Sequence, residues 1–199
     1  MKKSILVSLM LCMMMACTNQ NPLLVEQNTP YGVPAFDKVK NEHYMPAFEQ
    51  AIADNKAEID AIVNNPEAPT FANTIEALDR SGELLDKVVG VFFNVLEADG
   101  NDEMNKIAEE VTPLLSALSD GIILNDKLFQ RVKAVYEQRE ELGLNDEQMR
   151  LLTETFKSFA NNGANLPEDK KARLKEINQE LGLLSLQFGN NVVAETNAY

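Results

Sequence analysis

Metal-assisted hydrolysis needs about three protein ligands around an ion with one position open for water, and a helix-borne His-Glu-x-x-His supplies two of them one turn apart. The chain has one histidine, His43, in Glu42-His43-Tyr44. A solitary imidazole cannot build such a site, so His43 is expected to pack or hydrogen-bond rather than hold a metal. Nucleophilic routes fare no better: Cys12 and Cys17 are the only thiols, and there is no Gly-x-Ser-x-Gly elbow. The adjacent acids Glu109-Glu110, Glu140-Glu141 and Glu168-Asp169 would point to different helix faces and keep a surface solvated. Asp99 to Glu103 lacks the ligand alternation and terminal glutamate of a calcium loop and reads as a helix break. Phe92-Phe93 and Phe156 with Phe159 fall at helical spacing and read as core. No catalytic or metal-binding residue is therefore assigned in this chain.

The elements that would position any site are helices. Apolar residues recur at three and four from Tyr44 onward, and no run alternates at two, so the fold class is all-α. The spacing predicts a first helix over 44–64, with Phe48, Ile52, Ile59 and Ile62 on one side, ended by Pro66 and Pro69. Thr70 would cap a second helix over 71–98, which at 1.5 Å per residue would be roughly 40 Å long. Asp102 would cap a third, carrying Ile107, Val111, Leu118 and Ile122, which Pro113 is expected to kink or interrupt. Asn125 begins a fourth, closed by Leu142-Gly143-Leu144, and Asn145 with Gln148 makes a capping box for a fifth that ends at Asn161-Asn162-Gly163. A sixth starts near Pro167. Its Leu174, Ile177, Leu181, Leu184 and Phe188 take alternating steps of three and four, the seam of an antiparallel helix pair. With Val192 and Val193 still apolar and no stop signal at Asn197-Ala198-Tyr199, this last helix is expected to continue beyond the chain.

Ahead of the helices, Lys2 and Lys3 form a basic start and Ile5 to Ala16 an apolar run too short to span a bilayer, which takes about 20 apolar residues. Met14-Met15-Ala16-Cys17 ends it with a small residue before a cysteine, which reads as a bacterial lipoprotein signal with lipidation at Cys17. The organisation predicted is 1–16 signal peptide, 17–30 tether and 31–199 helical region, anchored through lipid in the cell envelope, in the periplasm or on the outer membrane. Removing Lys2 and Lys3 would take the formal charge from −13 to −15. With 31 acidic against 18 basic residues and no basic stripe, nucleic acid is excluded as a partner. Cys17 would be the mature chain's only thiol, so the fold must rest on packing, for which 45% hydrophobic residues are ample.

Between tether and first helix runs a proline-spaced strap, NPLLVEQNTPYGVPAFDKVKNEHYMPAF from Asn21 to Phe48. Pro30 and Pro34 bias the residues before them toward extended backbone, Tyr31 and Phe36 offer apolar groups for burial, and Pro46 sits where a first helical turn tolerates proline. This strap resembles the opening of the peptidyl-dipeptidases (dipeptidyl carboxypeptidases) of the thimet-oligopeptidase family. Asn64 to Val95, Asn125 to Leu144 and Asn162 to Leu181 resemble the amino-terminal helical region of the same enzymes, with Ser81-Gly82-Glu83-Leu84-Leu85 and Asn162-Gly163-Ala164-Asn165-Leu166 favouring this subgroup. The resemblance covers essentially everything after Asn21.

What the resemblance implies is a two-lobed helical zinc metallopeptidase that removes dipeptides from the C-termini of short peptides, with this chain as part of the lobe walling the substrate channel. The family's zinc ligands and catalytic groups have no matching positions here, so zinc is expected in the full-length enzyme and not in this chain, which is predicted inactive alone. The alternative reading is a stand-alone helical lipoprotein acting as a binding or scaffold module.

Overall fold

The computed structural model describes residues 20–26 and 29–198. The signal peptide, Cys17 and residues 18, 19, 27 and 28 of the tether lie outside the described residues. Those described form helices and turns without a strand: α1 (Asn41–Val63), α2 (Ala77–Arg80), α3 (Glu83–Asp99), α4 (Asp102–Ile123), α5 (Asp126–Glu137), α6 (Asp146–Asn161) and α7 (Glu168–Ala198). The fold is all-α, as the periodicity predicts.

α1 organises two cores. Its first half places Tyr44 and Phe48 against Val88 and Phe92 of α3 and Met104 and Val111 of α4. The Phe92 ring takes edge-on contacts from Tyr44 at 4.8 Å and Phe48 at 5.3 Å, the offset geometry that ring quadrupoles prefer. Its second half sends Ile59 and Ile62 to Ile75, Leu128, Val132, Leu152 and Phe159. Ile122, packed against both clusters, joins them.

The predicted 71–98 helix is three pieces. A π-helical turn, Phe71–Glu76, is capped by Thr70, whose side chain accepts from the Asn73 N–H, and leads into the short α2. The chain then breaks at Ser81 (ψ 142°) and Gly82 (φ 83°) before α3. Only glycine adopts that left-handed backbone without cost, and a Cβ at Gly82 would stand 2.9 Å from the Asn55 amide nitrogen. The Gly82 N–H donates to Glu58 Oε2 at 2.7 Å, so α1 holds the corner.

Other boundaries shift in ways that hydrogen bonds explain. α1 begins at Asn41, which puts Pro46 in its second turn, not its first. There the missing N–H removes one helical bond, and the His43 carbonyl beside the defect accepts from the Asn21 side chain at 2.7 Å. Asn101, not Asp102, caps α4, its side chain accepting from the N–H groups of Glu103 and Met104. α4 runs uninterrupted through Pro113. α5 ends at Glu137, and a separate 3-10 turn, Arg139–Glu141, precedes Gly143. The Asn145/Gln148 capping box and the end of α6 at Asn161 stand as predicted.

The strap is also held differently from the expectation. Tyr31 is fully exposed and Phe36 half-exposed, and Tyr31 takes a left-handed φ of 61° in the Pro30–Gly32 turn. Leu23 is the buried anchor instead, packed in the first core. Lys87 of α3 donates to the Val25 carbonyl at 3.1 Å and fastens the same segment.

Candidate functional site

His43 occupies the third position of α1, and its Nδ1 accepts the Lys40 N–H at 3.0 Å, the reciprocal arm of an N-terminal cap. That bond leaves the proton of the neutral ring on Nε2, which lies 3.9 Å from Glu42 Oε1. Its lone pair is therefore committed to the backbone. Among the described residues no three His, Cys, Asp or Glu side chains gather as metal ligands. The donor chemistry present does not fit a catalytic zinc, and no step through a metal can be derived from it.

The adjacent acids expected to keep helix faces solvated lie in solvent. Glu109 and Glu110 on α4, Glu140 and Glu141, and Glu168 and Asp169 at the start of α7 are all exposed. Phe92 and Phe159 are core, with Phe93 and Phe156 partly buried beside them.

Five buried polar side chains among the described residues escaped the sequence reading, Asn55, Thr74, Asp120, Arg131 and Lys171, and the last three are fastenings between elements. Arg131, inside the apolar face of α5, donates to the carbonyls of Asn65 at 3.0 Å and Glu67 at 3.2 Å and to Asn73 Oδ1 at 3.2 Å. Its Nε is buried without a hydrogen-bond partner. Lys171 of α7 is 2% exposed and reaches the Leu124 carbonyl at 3.3 Å, with Asp126 and Glu168 as ionic partners. Burial penalises its charge, but the two carboxylates outweigh that and hold the ammonium above the ordinary lysine value. Asp120 near the end of α4 accepts from the Asn178 amide of α7 at 2.7 Å. The only signal for Arg131 and Lys171 was position: each falls in register with apolar neighbours, Leu128 and Val135 for the first, Leu174 for the second.

What remains is a surface. The longest helix, α7, lies along α4, but not through its predicted seam. Lys171, Asn178 and Gly182 face α4, where a Cβ on Gly182 would come 3.2 Å from Thr112, and Leu186 packs into the first core. From Ile177 on, the residues in steps of three and four turn outward: Ile177 is 43%, Leu181 58%, Leu184 53% and Phe188 70% exposed. Polar fastenings at Lys171 and Asn178 select the α4-facing side, which periodicity of apolar residues could not register. Beside that outward stripe, α3 and the last turns of α7 border a groove of about 940 Å³ lined by the apolar Phe93, Leu96, Leu186 and Val193 and by the polar Glu97, Asp99, Asn105 and Asn190.

No protein-family model matches the chain. Against curated proteins it is 46% identical over 178 residues to the dipeptidyl carboxypeptidase of Salmonella typhimurium and 44% over 177 residues to that of Escherichia coli, 89% of the chain in each case. The dipeptidyl carboxypeptidases are its relatives. Oligopeptidase A of Escherichia coli stands further off, at 26% identity over 176 residues. The match falls in the first quarter of these proteins, and the chain spans about a quarter, 26%, of the length of the dipeptidyl carboxypeptidases it matches. The helical bundle described above is thus the counterpart of the amino-terminal portion of a dipeptidyl carboxypeptidase.

Proposed function

We propose that this chain is the amino-terminal helical part of a lipid-anchored zinc peptidyl-dipeptidase that releases dipeptides from the C-termini of short peptides. The identity of 46% across 89% of the chain carries the reading. Cleavage itself belongs to a region beyond the matched quarter, because a chain with one histidine, its Nδ1 engaged by Lys40, cannot supply a zinc site. The role left to these helices is architectural: to form part of the wall that admits short peptides and excludes folded proteins. Cys17 would carry the lipid that holds the enzyme in the cell envelope.

The test is a peptidase assay on two proteins. The chain alone, supplied with zinc, should not cleave a short peptide. Grafted in place of the first quarter of the Escherichia coli dipeptidyl carboxypeptidase, it should support release of C-terminal dipeptides. Cleavage by the isolated chain, or an inactive but folded graft, would refute the reading. For the anchor, radiolabelled palmitate should enter the chain in a bacterial host and be lost on Cys17→Ser.

A further inference from the structure

The carboxyl half of α7 is apolar on more than one side. With 3.6 residues per turn, Leu181, Leu184, Phe188 and Val192 fall on one face, and Leu186 with Val193 on another roughly a third of a turn round. From Leu181 to Ala194 the helix carries no charged residue, in a chain that is 25% charged. The first face is largely open to solvent, with Phe188 70% and Val192 49% exposed. The second borders the groove of about 940 Å³ against Phe93 and Leu96, and a Cβ on Gly189 would meet no atom within 4 Å. An uncharged helix with apolar residues on two sides, interrupted only by Ser185, Gln187, Asn190 and Asn191, is closer to a buried helix than to a surface one, and a helix end without packing is marginal in water.

We propose that α7 is an interior helix whose two bare sides are covered by two separate apolar helical segments of the catalytic region that dipeptidyl carboxypeptidases carry beyond the matched quarter. This rests on the function proposed above. Three observations choose that occupant. The relatives carry about three quarters of their length outside the match, ample chain to supply both segments. A second copy would bring together two surfaces of formal charge −13, which repel. A lipid surface calls for an amphipathic helix with Lys and Arg on its polar face, and residues 181–194 have neither.

The test places a photo-cross-linking amino acid at Phe188 or at Val193 in the Escherichia coli graft described above, read by mass spectrometry independently of activity. The two positions should cross-link within one polypeptide to two different stretches beyond the graft. Cross-links between copies, cross-links from both positions to one stretch, or none, overturn the proposal, as does a graft that fails to fold, because the surfaces must fit. The graft's activity is scored apart: cross-links in an inactive graft support the interface and refute the function. In the isolated chain, residues 184–198 should exchange amide hydrogens at least 100-fold faster than α1. Full protection there in a monomer, or a dimer dissolved by Phe188→Glu, overturns the proposal as well.

Discussion

Arg131 on α5 donates to the Asn65 carbonyl across 3.0 Å, binding the loop that ends α1 to a helix 66 residues further along the chain. With Glu67 and Asn73 as further acceptors, carbonyl oxygens engage both terminal nitrogens of this buried cation, and its Nε alone is left without a partner. Truncation to Arg131→Ala strands those acceptors and opens a cavity. Hydrogen bonds to a charged group contribute about 1.5–3 kcal/mol, so a loss near the upper end of that range is expected in chemical denaturation. Arg131→Lys should recover only part, because an ammonium cannot reproduce the planar fork.

Alkaline pH should weaken the fold by a route that two residues share. Burial holds the Tyr44 phenol above its ordinary 10.0, and the carboxylates beside Lys171 hold that ammonium above 10.5 despite its burial. In both, the folded state keeps its proton more tightly than the unfolded state does. Their stabilisation is whole below about pH 10 and declines as pH rises through the folded values. Thermal melts between pH 8 and 11.5 should show a falling Tm, with a shallower fall in Tyr44→Phe and Lys171→Met. An unchanged slope in both variants would refute the assignment.

How much of this was legible follows from what each signal measures. Apolar periodicity reports which residues leave water, and it located Phe48, Ile75, Val88, Val111, Leu128 and Leu152 in cores. Local capping chemistry is written within four residues, so Thr70, Asn125 and the Asn145/Gln148 pair could be read directly. Two things depend on contacts far along the chain. The corner at Gly82 needs Asn55 and Glu58 of α1 to make sense, and the face that α7 turns to α4 is chosen by Asn178 meeting Asp120. The conspicuous Ile177 to Phe188 stripe reads as the seam of a helix pair, and it is exposed here because α7 meets α4 through another face. At the functional level, one histidine sufficed to set a zinc site aside, while the family came from extended similarity and no single residue.

Gly82 should resist replacement for two separable reasons. Gly82→Ala would place a methyl group on a backbone with φ 83° and 2.9 Å from the Asn55 amide nitrogen. Left-handed backbone alone costs a non-glycine residue about 1–2 kcal/mol, and the Asn55 contact adds to it. Combining Gly82→Ala with Asn55→Ala should return the contact part and not the backbone part. The two losses separate in a double-mutant cycle of urea denaturation. Full rescue by Asn55→Ala would show that backbone conformation is unimportant at the corner.

His43 offers the sharpest separation of a structural from a catalytic histidine, because the two roles demand different replacements. A capping acceptor at the third helical position can be supplied by glutamine, whose side-chain carbonyl reaches the same N–H, whereas alanine leaves the Lys40 N–H without its partner. His43→Ala should therefore cost about 1 kcal/mol and His43→Gln a small fraction of that. Zinc titration by calorimetry should show no one-to-one tight site in the chain with or without the imidazole. Tight stoichiometric zinc that disappears in His43→Gln while stability is retained would assign the ring to a metal, and would reverse the placement of catalysis outside these helices.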